Sequence, residues 1–414
     1  GHLSDRTYTK WGRRLPWLYL APWPLALVWT MLWSPPFTGT PGFWDIVALA
    51  VGVRLLLSAC EVPSVSLVPE ITDDYDDRTT LFRYRFLSGW LGGLLMMVLT
   101  FTVFLPTPQS QLQPEGYASY GLFGAALIAL SVIGSAAAQH RIVAQLPERR
   151  PAPFSITGAF AEIFDAFREK AFVIFALGGL AAYVLQGMTF SITQYVNLYV
   201  WQFSELAFQL YPAVLFLSVV LMFVIVGPLH RRWGKPKSAA LGALVGLAFY
   251  CSPYVLYLAG AWPTVGTTAS TALLYGFLVC ANTASVVAII SATSMVAEIV
   301  EAFEERTGQR AEGTFYAGNW LVQKCATGGG ILLTSLIVQS IDLAPGTPQA
   351  EVAPETVRQL VWLFMLAATV LASIAAFWLA RFPISREQHE ARGAARRGRP
   401  APPAPATADP LDQA

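Results

Sequence analysis

The chain has 414 residues, of which 55% are hydrophobic and 13% are charged, and its formal net charge is +1. This composition, with a mean hydropathy of +0.49, excludes an ordinary soluble protein of this length and indicates a polytopic membrane protein. The basic residues are distributed over many loops without an RNA- or DNA-binding motif, so we expect no nucleic-acid partner.

Ten apolar segments are long enough to cross a hydrocarbon layer of about 30 Å as helices. In chain order they cover residues 15–33, 43–69, 86–105, 117–139, 171–200, 209–229, 239–258, 269–297, 314–340 and 357–380. The sequence therefore predicts an all-α membrane protein with about ten transmembrane helices.

Lysine and arginine indicate how these helices are oriented. The stretches that hold 24 of the 27 are 1–14, 70–85, 140–170, 230–237, 298–313 and 381–414. Because basic loops remain on the cytoplasmic side, we expect these stretches and both termini to be cytoplasmic. The expected location is a bacterial inner membrane.

A sequence motif that occurs twice predicts the organisation of the bundle. WGRRLP begins at Trp11 and leads into the first predicted span. HRRWGKPK begins at His230 and leads into the span that comes six spans later. Duplicated six-helix halves produce this offset. Major facilitator transporters carry such a basic loop before their third helix and its counterpart before their ninth, so the ten spans correspond to helices 3–12 of an expected twelve.

This numbering divides the chain into four parts. We expect an N-terminal half without helices 1 and 2 at 1–139, a central cytoplasmic loop at 140–170 and a C-terminal six-helix half at 171–380. The stretch 381–414 is rich in Ala, Pro and Arg. Such a composition cannot bury a core, which predicts a disordered cytoplasmic tail.

Three stretches, in the right order and spacing, carry a family resemblance. They are GHLSDRTYTKWGRRLPW, EVPSVSLVPEITDDYDDRTTLFRYR and SMVAEIVEAFEERTGQRAEGTFYAGNWLVQKCATGGG. In them the chain resembles the glycoside-pentoside-hexuronide:cation symporters, the melibiose permease-like family of the major facilitator superfamily. The resemblance implies a secondary active transporter that moves a sugar or glycoside by alternating access, with Na⁺ or H⁺ as coupling ion.

Charged residues inside the spans predict where a solute binds. Glu61 lies about 12 Å and Lys324 about 15 Å from the same end of their spans, at 1.5 Å per residue. A charge at this depth costs at least about 2.5 kcal/mol when it faces lipid, so the two should face a shared polar cavity or pair with each other. Arg54 lies two helical turns before Glu61 on the same face, where it either lines the same path or clamps a neighbouring helix.

The resemblance adds roles to some of these residues. It implies that Glu61 matches the acid that binds sugar hydroxyls and that Lys324 matches a lysine near the cation site, whereas it assigns no role to Arg54. Trp320, one turn before Lys324, is the aromatic residue that we expect near the solute. Val65 replaces the family's stacking aromatic, so a melibiose-like solute is not implied. The family's cation-site acids fall upstream of Gly1, and we expect no metal site in this chain.

Charged clusters at the cytoplasmic helix ends predict a gate. Their alternating signs allow them to pair across helix ends and to hold the inner mouth shut in the outward-open state. The residues are Asp5, Arg6, Arg13, Arg14, Asp74, Arg78, Glu298, Glu301 and Arg310. Orientation signals on solvated loops are the alternative interpretation.

Other functions remain open on the sequence alone. The fold also suits a carrier of an amphipathic lipid or other organic anion, and a non-transporting membrane sensor. An enzyme is not expected, because the sequence holds no constellation such as GxSxG or HExxH. We expect no cofactor beyond the coupling ion and no obligate protein partner, only a small-molecule solute and the lipid bilayer.

Overall fold

The structure is a computed structural model that describes residues 7, 9–36, 41–72, 75–145, 167–307, 312–344 and 346–383. Throughout these ranges the regular structure is helical, without a strand, so the all-α prediction is confirmed. The described α-helices are α1 (Leu15–Leu20), α2 (Pro22–Trp33), α3 (Phe43–Ile71), α4 (Tyr75–Leu99), α5 (Glu115–Val143), α6 (Lys170–Tyr195), α7 (Glu205–Leu258), α8 (Thr268–Thr307), α9 (Glu312–Ser340) and α10 (Pro354–Ala380).

Nine segments of the described chain are long and apolar enough to cross a membrane, if α7 is counted once. The 54 residues of α7 would extend about 80 Å as one straight helix, far more than a bilayer requires. Gly234 breaks α7 with φ 74° and ψ 170°, a conformation that is essentially restricted to glycine. The α7 helix therefore supplies two spans, and each of the ten predicted spans has a helical counterpart.

The helices extend beyond the predicted spans at the basic end of the bundle. Helix α4 begins at Tyr75, although the span was predicted from residue 86, and α8 continues to Thr307 rather than ending near 297. Hydropathy locates only the part of a helix that lies in hydrocarbon, whereas the helix itself continues where its charged side chains reach water. Most of the charged stretch after Thr72 is thus part of α4 rather than a loop.

The described helices pack as two groups along the chain. In the first, α2 packs against α3 and α5; in the second, α6 packs against α9 and α10, and α7 packs against α8 and α10. The groups meet where the end of α4 and the π-helical turn Thr100–Phe104 after it approach α7, with the Phe101 and Phe208 rings 5.2 Å apart. Beside this contact, the Gln194 side-chain amide donates to the Gln111 side chain. These contacts lie at the end opposite to the basic residues.

Glycine makes the close packing of α6 against α9 possible. A Cβ added at Gly330 would lie 2.1 Å from the Val184 carbonyl oxygen, and one at Gly187 would lie 2.2 Å from the Thr327 carbonyl oxygen. Polar contacts reinforce the same pair of helices, because the Thr334 hydroxyl donates to the Met188 carbonyl at 3.1 Å. The α6–α9 contact therefore fixes the position of α9, the helix that carries Lys324.

Candidate substrate-binding cavity

A cavity of about 760 Å³ lies between the two helix groups. Its lining comes from three helices of the first group, α3, α4 and α5, and from α9 of the second. The lining residues are Arg54, Leu57, Cys60, Glu61, Ser64, Arg85, Gly89, Ser131, Val132, Ser135, Trp320, Gln323 and Lys324. The cavity thus contains all four residues that the sequence suggested for binding a solute.

Helix α3 supplies most of the first wall through one face. Arg54, Leu57, Glu61 and Ser64 follow one another at intervals of three and four residues, the spacing that places side chains on one side of a helix. Arg54 and Glu61 are both exposed, seven residues or about 10 Å apart along the axis. A single helix therefore presents a cation and an anion at two depths of the same cavity.

Helix α9 supplies the opposite wall through a single turn. Trp320, Gln323 and Lys324 lie within five residues of each other and all line the cavity. The Trp320 side chain is 53% exposed, so its ring is not buried in the helix packing. An aromatic face and an ammonium group therefore point into the same space as Glu61.

Glu61 and Lys324 share the cavity without pairing. Within the part of the chain that the structure describes, neither residue forms an ion pair, and neither does Arg54. The architectural Glu61–Lys324 pair that the sequence left open is therefore not formed in this structure. These charges are available to a bound solute or ion.

Sequence reasoning missed Arg85. The predicted span began at residue 86, so Arg85 was grouped with the orientation signals, whereas α4 already begins at Tyr75. Its side chain lies about 15 Å into the helix and donates from Nη1 to the Ser64 hydroxyl at 2.8 Å. This contact joins α4 to α3 and holds a third basic group against the cavity.

The predicted gate is only partly described. Arg13 and Arg14 both donate to Glu70 Oε1, at 2.9 and 3.0 Å, and Glu298 pairs with Lys235 at 2.8 Å. Sequence reasoning named neither Glu70 nor Lys235 as a partner. Each of these ion pairs lies within one helix group, so pairing across the two groups stays a prediction.

Other members of the predicted gate lie outside the described residues. Asp5, Arg6, Asp74 and Arg310 fall in the stretches that the structure leaves out, and the side chains of Arg78 and Glu301 are not described although their helices are. Among the described residues, the ion pairs of predicted gate residues are those with Glu70 and Glu298, and their role in a gate stays a prediction.

The comparisons with known proteins decide the family. The profile of the family described as MFS/sugar transport protein matches residues 1–386, nearly the whole chain. The chain belongs to this family. Membership of the MFS/sugar transport family confirms the predicted major facilitator fold, and it makes the protein an integral membrane transporter.

Individual relatives that are similar to the chain over most of its length are also named as transporters. An uncharacterized symporter of Synechocystis is 27% identical over 468 residues, covering 94% of this chain and 84% of the relative. A putative sulfoquinovose importer of Salmonella typhimurium is 24% identical over 386 residues, covering 90% and 75%. Both alignments extend over most of each protein.

A solved structure shares the fold. It is a bacterial homolog of the human lysosomal transporter Spinster, in an inward-facing and unoccupied conformation, with a TM-score of 0.62 over 92% of this chain and 85% of the other. Sequence identity is 13%, so this likeness concerns the architecture alone.

Proposed function

We propose that the protein is a cation-coupled symporter of a sugar or glycoside that works by alternating access. The observation that carries this proposal is the convergence of Glu61, Arg85, Trp320 and Lys324 on one cavity between the two helix groups. Rocking of one group against the other would expose such a cavity to each side of the membrane in turn. The family description and a relative named as a sulfoquinovose importer support a sugar as the solute.

Each cavity residue has a chemical role in this cycle. Glu61 accepts hydrogen bonds from solute hydroxyls, because an ionised carboxylate provides only acceptors. Trp320 offers its ring to the apolar face of a sugar, and its exposure leaves that face accessible. Lys324 supplies a positive charge that competes with the coupling cation, so loading of the cation and loading of the solute are linked. Na⁺ and H⁺ are both compatible with this chemistry.

We place the protein in a bacterial inner membrane, with both termini in the cytoplasm. The basic end of the bundle carries Arg13, Arg14, Arg231, Arg232 and Lys235, which supports this orientation under the positive-inside rule. The ion pairs of Glu70 and Glu298 would then lie at the cytoplasmic mouth, where their rearrangement accompanies opening and closing.

Uptake into proteoliposomes tests the proposal. The purified protein is reconstituted and offered a broad panel of radiolabelled sugars and glycosides under an imposed Na⁺ or H⁺ gradient. We expect accumulation of at least one sugar that stops when the matching gradient is collapsed with an ionophore. Movement of a lipid or a non-sugar organic anion without accumulation of any sugar would contradict the proposal, and binding without transport would favour a sensor.

A further inference from the structure

We infer that the basic end of the second helix group binds an anionic phospholipid between α7 and α10, through Lys237 and Arg381. The binding surface lies on the outside of the bundle and uses none of the cavity residues, so the inference goes beyond the proposed function and does not depend on the solute. Three features carry it: the contact of α7 with α10, the charges at the end of this contact, and an apolar stripe on α10 that ends at Arg381.

Helices α7 and α10 pack side by side as far as the basic end of the bundle. In the middle of this contact, the centre of the Phe364 ring of α10 lies 5.6 Å from the centre of the Tyr254 ring of α7. Nearer the basic end, Ala239 of α7 belongs to the same buried cluster as Leu379 and Phe382, which lie at and just after the end of α10. The start of the second α7 span and the last turn of α10 are therefore neighbours.

Two basic residues lie at this junction. Lys237 is two residues before the α7 member of the buried cluster, Arg381 is directly before its last member, and both are exposed. Within the described part of the chain, neither residue forms an ion pair, and the buried acid Glu298 of α8 is already paired with Lys235 at 2.8 Å. Basic pockets between transmembrane helices bind the phosphate groups of anionic lipids, so the junction suits such a headgroup.

An apolar stripe on α10 favours a lipid over a free anion. Its members are 42–63% exposed and recur at intervals of three and four residues, which places them on one side of the helix. They are Leu366, Val370, Ile374 and Phe377. Arg381 continues this row by one turn, and its guanidinium carbon lies 3.5 Å from the centre of the Phe377 ring. A phosphate bound by Arg381 can therefore extend its acyl chains along the stripe, whereas inorganic phosphate makes no use of it.

Trp233 marks the level of the lipid headgroups at this surface. Tryptophan is enriched at membrane–water interfaces, and Trp233 is exposed in the basic turn that leads to Lys237. The Arg232 guanidinium lies 5.6 Å from the centre of the Trp233 ring and adds a further positive charge to this turn. A headgroup at the depth of Trp233 thus meets the basic turn of α7 while its acyl chains lie in the bilayer. The proposed orientation assigns this lipid to the cytoplasmic leaflet.

Binding of defined lipids to the purified, delipidated protein in detergent tests the inference. Dioleoyl phosphatidylglycerol is compared with dioleoyl phosphatidylcholine, which has the same acyl chains but no net charge, and with inorganic phosphate. Each compound is titrated against a fluorescent phosphatidylglycerol for the unmodified protein, for Lys237→Gln, for Arg381→Gln and for the variant with both substitutions. Arg141→Gln is the matched control, because Arg141 is an exposed arginine in the last turn of α5, at the basic end of the other helix group.

We expect the unmodified protein to bind phosphatidylglycerol more tightly than phosphatidylcholine. Each single substitution should weaken phosphatidylglycerol binding about fivefold and the double substitution about twenty-five-fold, since one basic residue near a membrane surface contributes about a fivefold preference for anionic lipid. Binding of phosphatidylcholine should not change, and Arg141→Gln should behave like the unmodified protein. Because both side chains are exposed, the variants should elute from gel filtration like the unmodified protein, and the single variants decide the outcome if the double variant does not.

Two kinds of result would overturn the inference. One is equal binding of the two lipids by the unmodified protein, or an undiminished preference for phosphatidylglycerol in the variants. The other is displacement of the probe by inorganic phosphate as effectively as by phosphatidylglycerol, since the surface would then bind a free anion rather than a lipid. Either result would leave the proposed transport of a sugar through the cavity intact.

Discussion

Three glycines in a row on α9 show how a single residue determines the packing of this bundle. A Cβ at Gly330 would meet the Val184 carbonyl at 2.1 Å and the Met188 amide nitrogen at 2.5 Å, whereas one at Gly328 would meet nothing within 4 Å. Two residues correspond to about 200° of rotation around the helix, so the two glycines face opposite directions. Of these three glycines, only Gly330 is needed for the close approach of α6.

We therefore predict different outcomes for two equivalent substitutions. Gly330→Ala should lower the thermal unfolding midpoint in detergent, because separating α6 from α9 is an overpacking change that costs about 1–3 kcal/mol. Gly328→Ala should leave the midpoint unchanged or raise it slightly, since alanine is the better helix former. Equal midpoints for the two variants would show that α6 and α9 do not pack as described.

Glu70 organises the first helix group at its basic end. Its Oε1 atom accepts from Arg13 Nη2 at 2.9 Å and from Arg14 Nη2 at 3.0 Å, and the Arg14 side chain is only 7% exposed. A carboxylate with two arginine donors in a partly buried position is worth more than a surface ion pair. The cluster thus ties the start of α1 to the end of α3.

Glu70→Gln should therefore destabilise the protein. The substitution keeps the shape but weakens the three hydrogen bonds that Arg13 and Arg14 donate to the carboxylate. Hydrogen bonds to charged groups are worth about 1.5–3 kcal/mol each, so the unfolding midpoint should fall measurably. Glu205→Gln removes a comparable charge from the exposed first turn of α7 and serves as control, with a smaller loss of at most about 1 kcal/mol expected from the weaker helix-dipole interaction. If both variants melt alike, the Glu70 cluster contributes nothing to stability.

Hydropathy predicts where the spans lie along the chain, but it does not predict which helices and side chains contact each other. The sequence alone predicts that Glu61 and Lys324 face a shared cavity, because both lie at a similar depth in the bilayer and a charge at that depth requires a polar environment. The same reasoning does not identify Arg85, because the predicted span begins eleven residues after the start of α4 and therefore excludes this residue. Glu70 and Lys235 could not be predicted as ion-pair partners, because the choice of partner depends on the tertiary packing of the helix ends.

The break in α7 is the clearest prediction about an element. Gly234 has φ 74° and ψ 170°, which an alanine adopts only with strain of about 1–3 kcal/mol. Gly234→Ala should therefore lower the unfolding midpoint, while Gly227→Ala, in the same helix with nothing within 4 Å of an added Cβ, should not. A neutral effect at Gly234 would indicate that the two spans of α7 are connected differently.

The two helix groups meet at one end and border an open cavity between them. The contacts Phe101–Phe208 and Gln111–Gln194 lie at the end away from the basic residues. If the basic end is cytoplasmic, these contacts lie on the outer side of the membrane, and they must separate when the solute enters from outside. The positive-inside rule is the reason for proposing this orientation.

Cysteine labelling tests this orientation. In a background in which the four native cysteines are replaced, a cysteine at Ser110 should react with a membrane-impermeant maleimide added outside intact cells. A cysteine at Lys237, in the basic turn of α7, should react only after the membrane is permeabilised. The opposite pattern would reverse the topology and the assignment of the gate.

Gradient-driven uptake in proteoliposomes tests whether the cavity is the transport site, with Glu61→Gln and Lys324→Ala compared with the unmodified protein and with Glu115→Gln. Glu115 is exposed at the start of α5, outside the cavity, and supplies the neutral control. Glu61→Gln should lose solute binding, and Lys324→Ala should lose uphill accumulation, with both variants inserted and folded in the membrane. Wild-type accumulation by both variants would show that the cavity between the two helix groups is not the transport site.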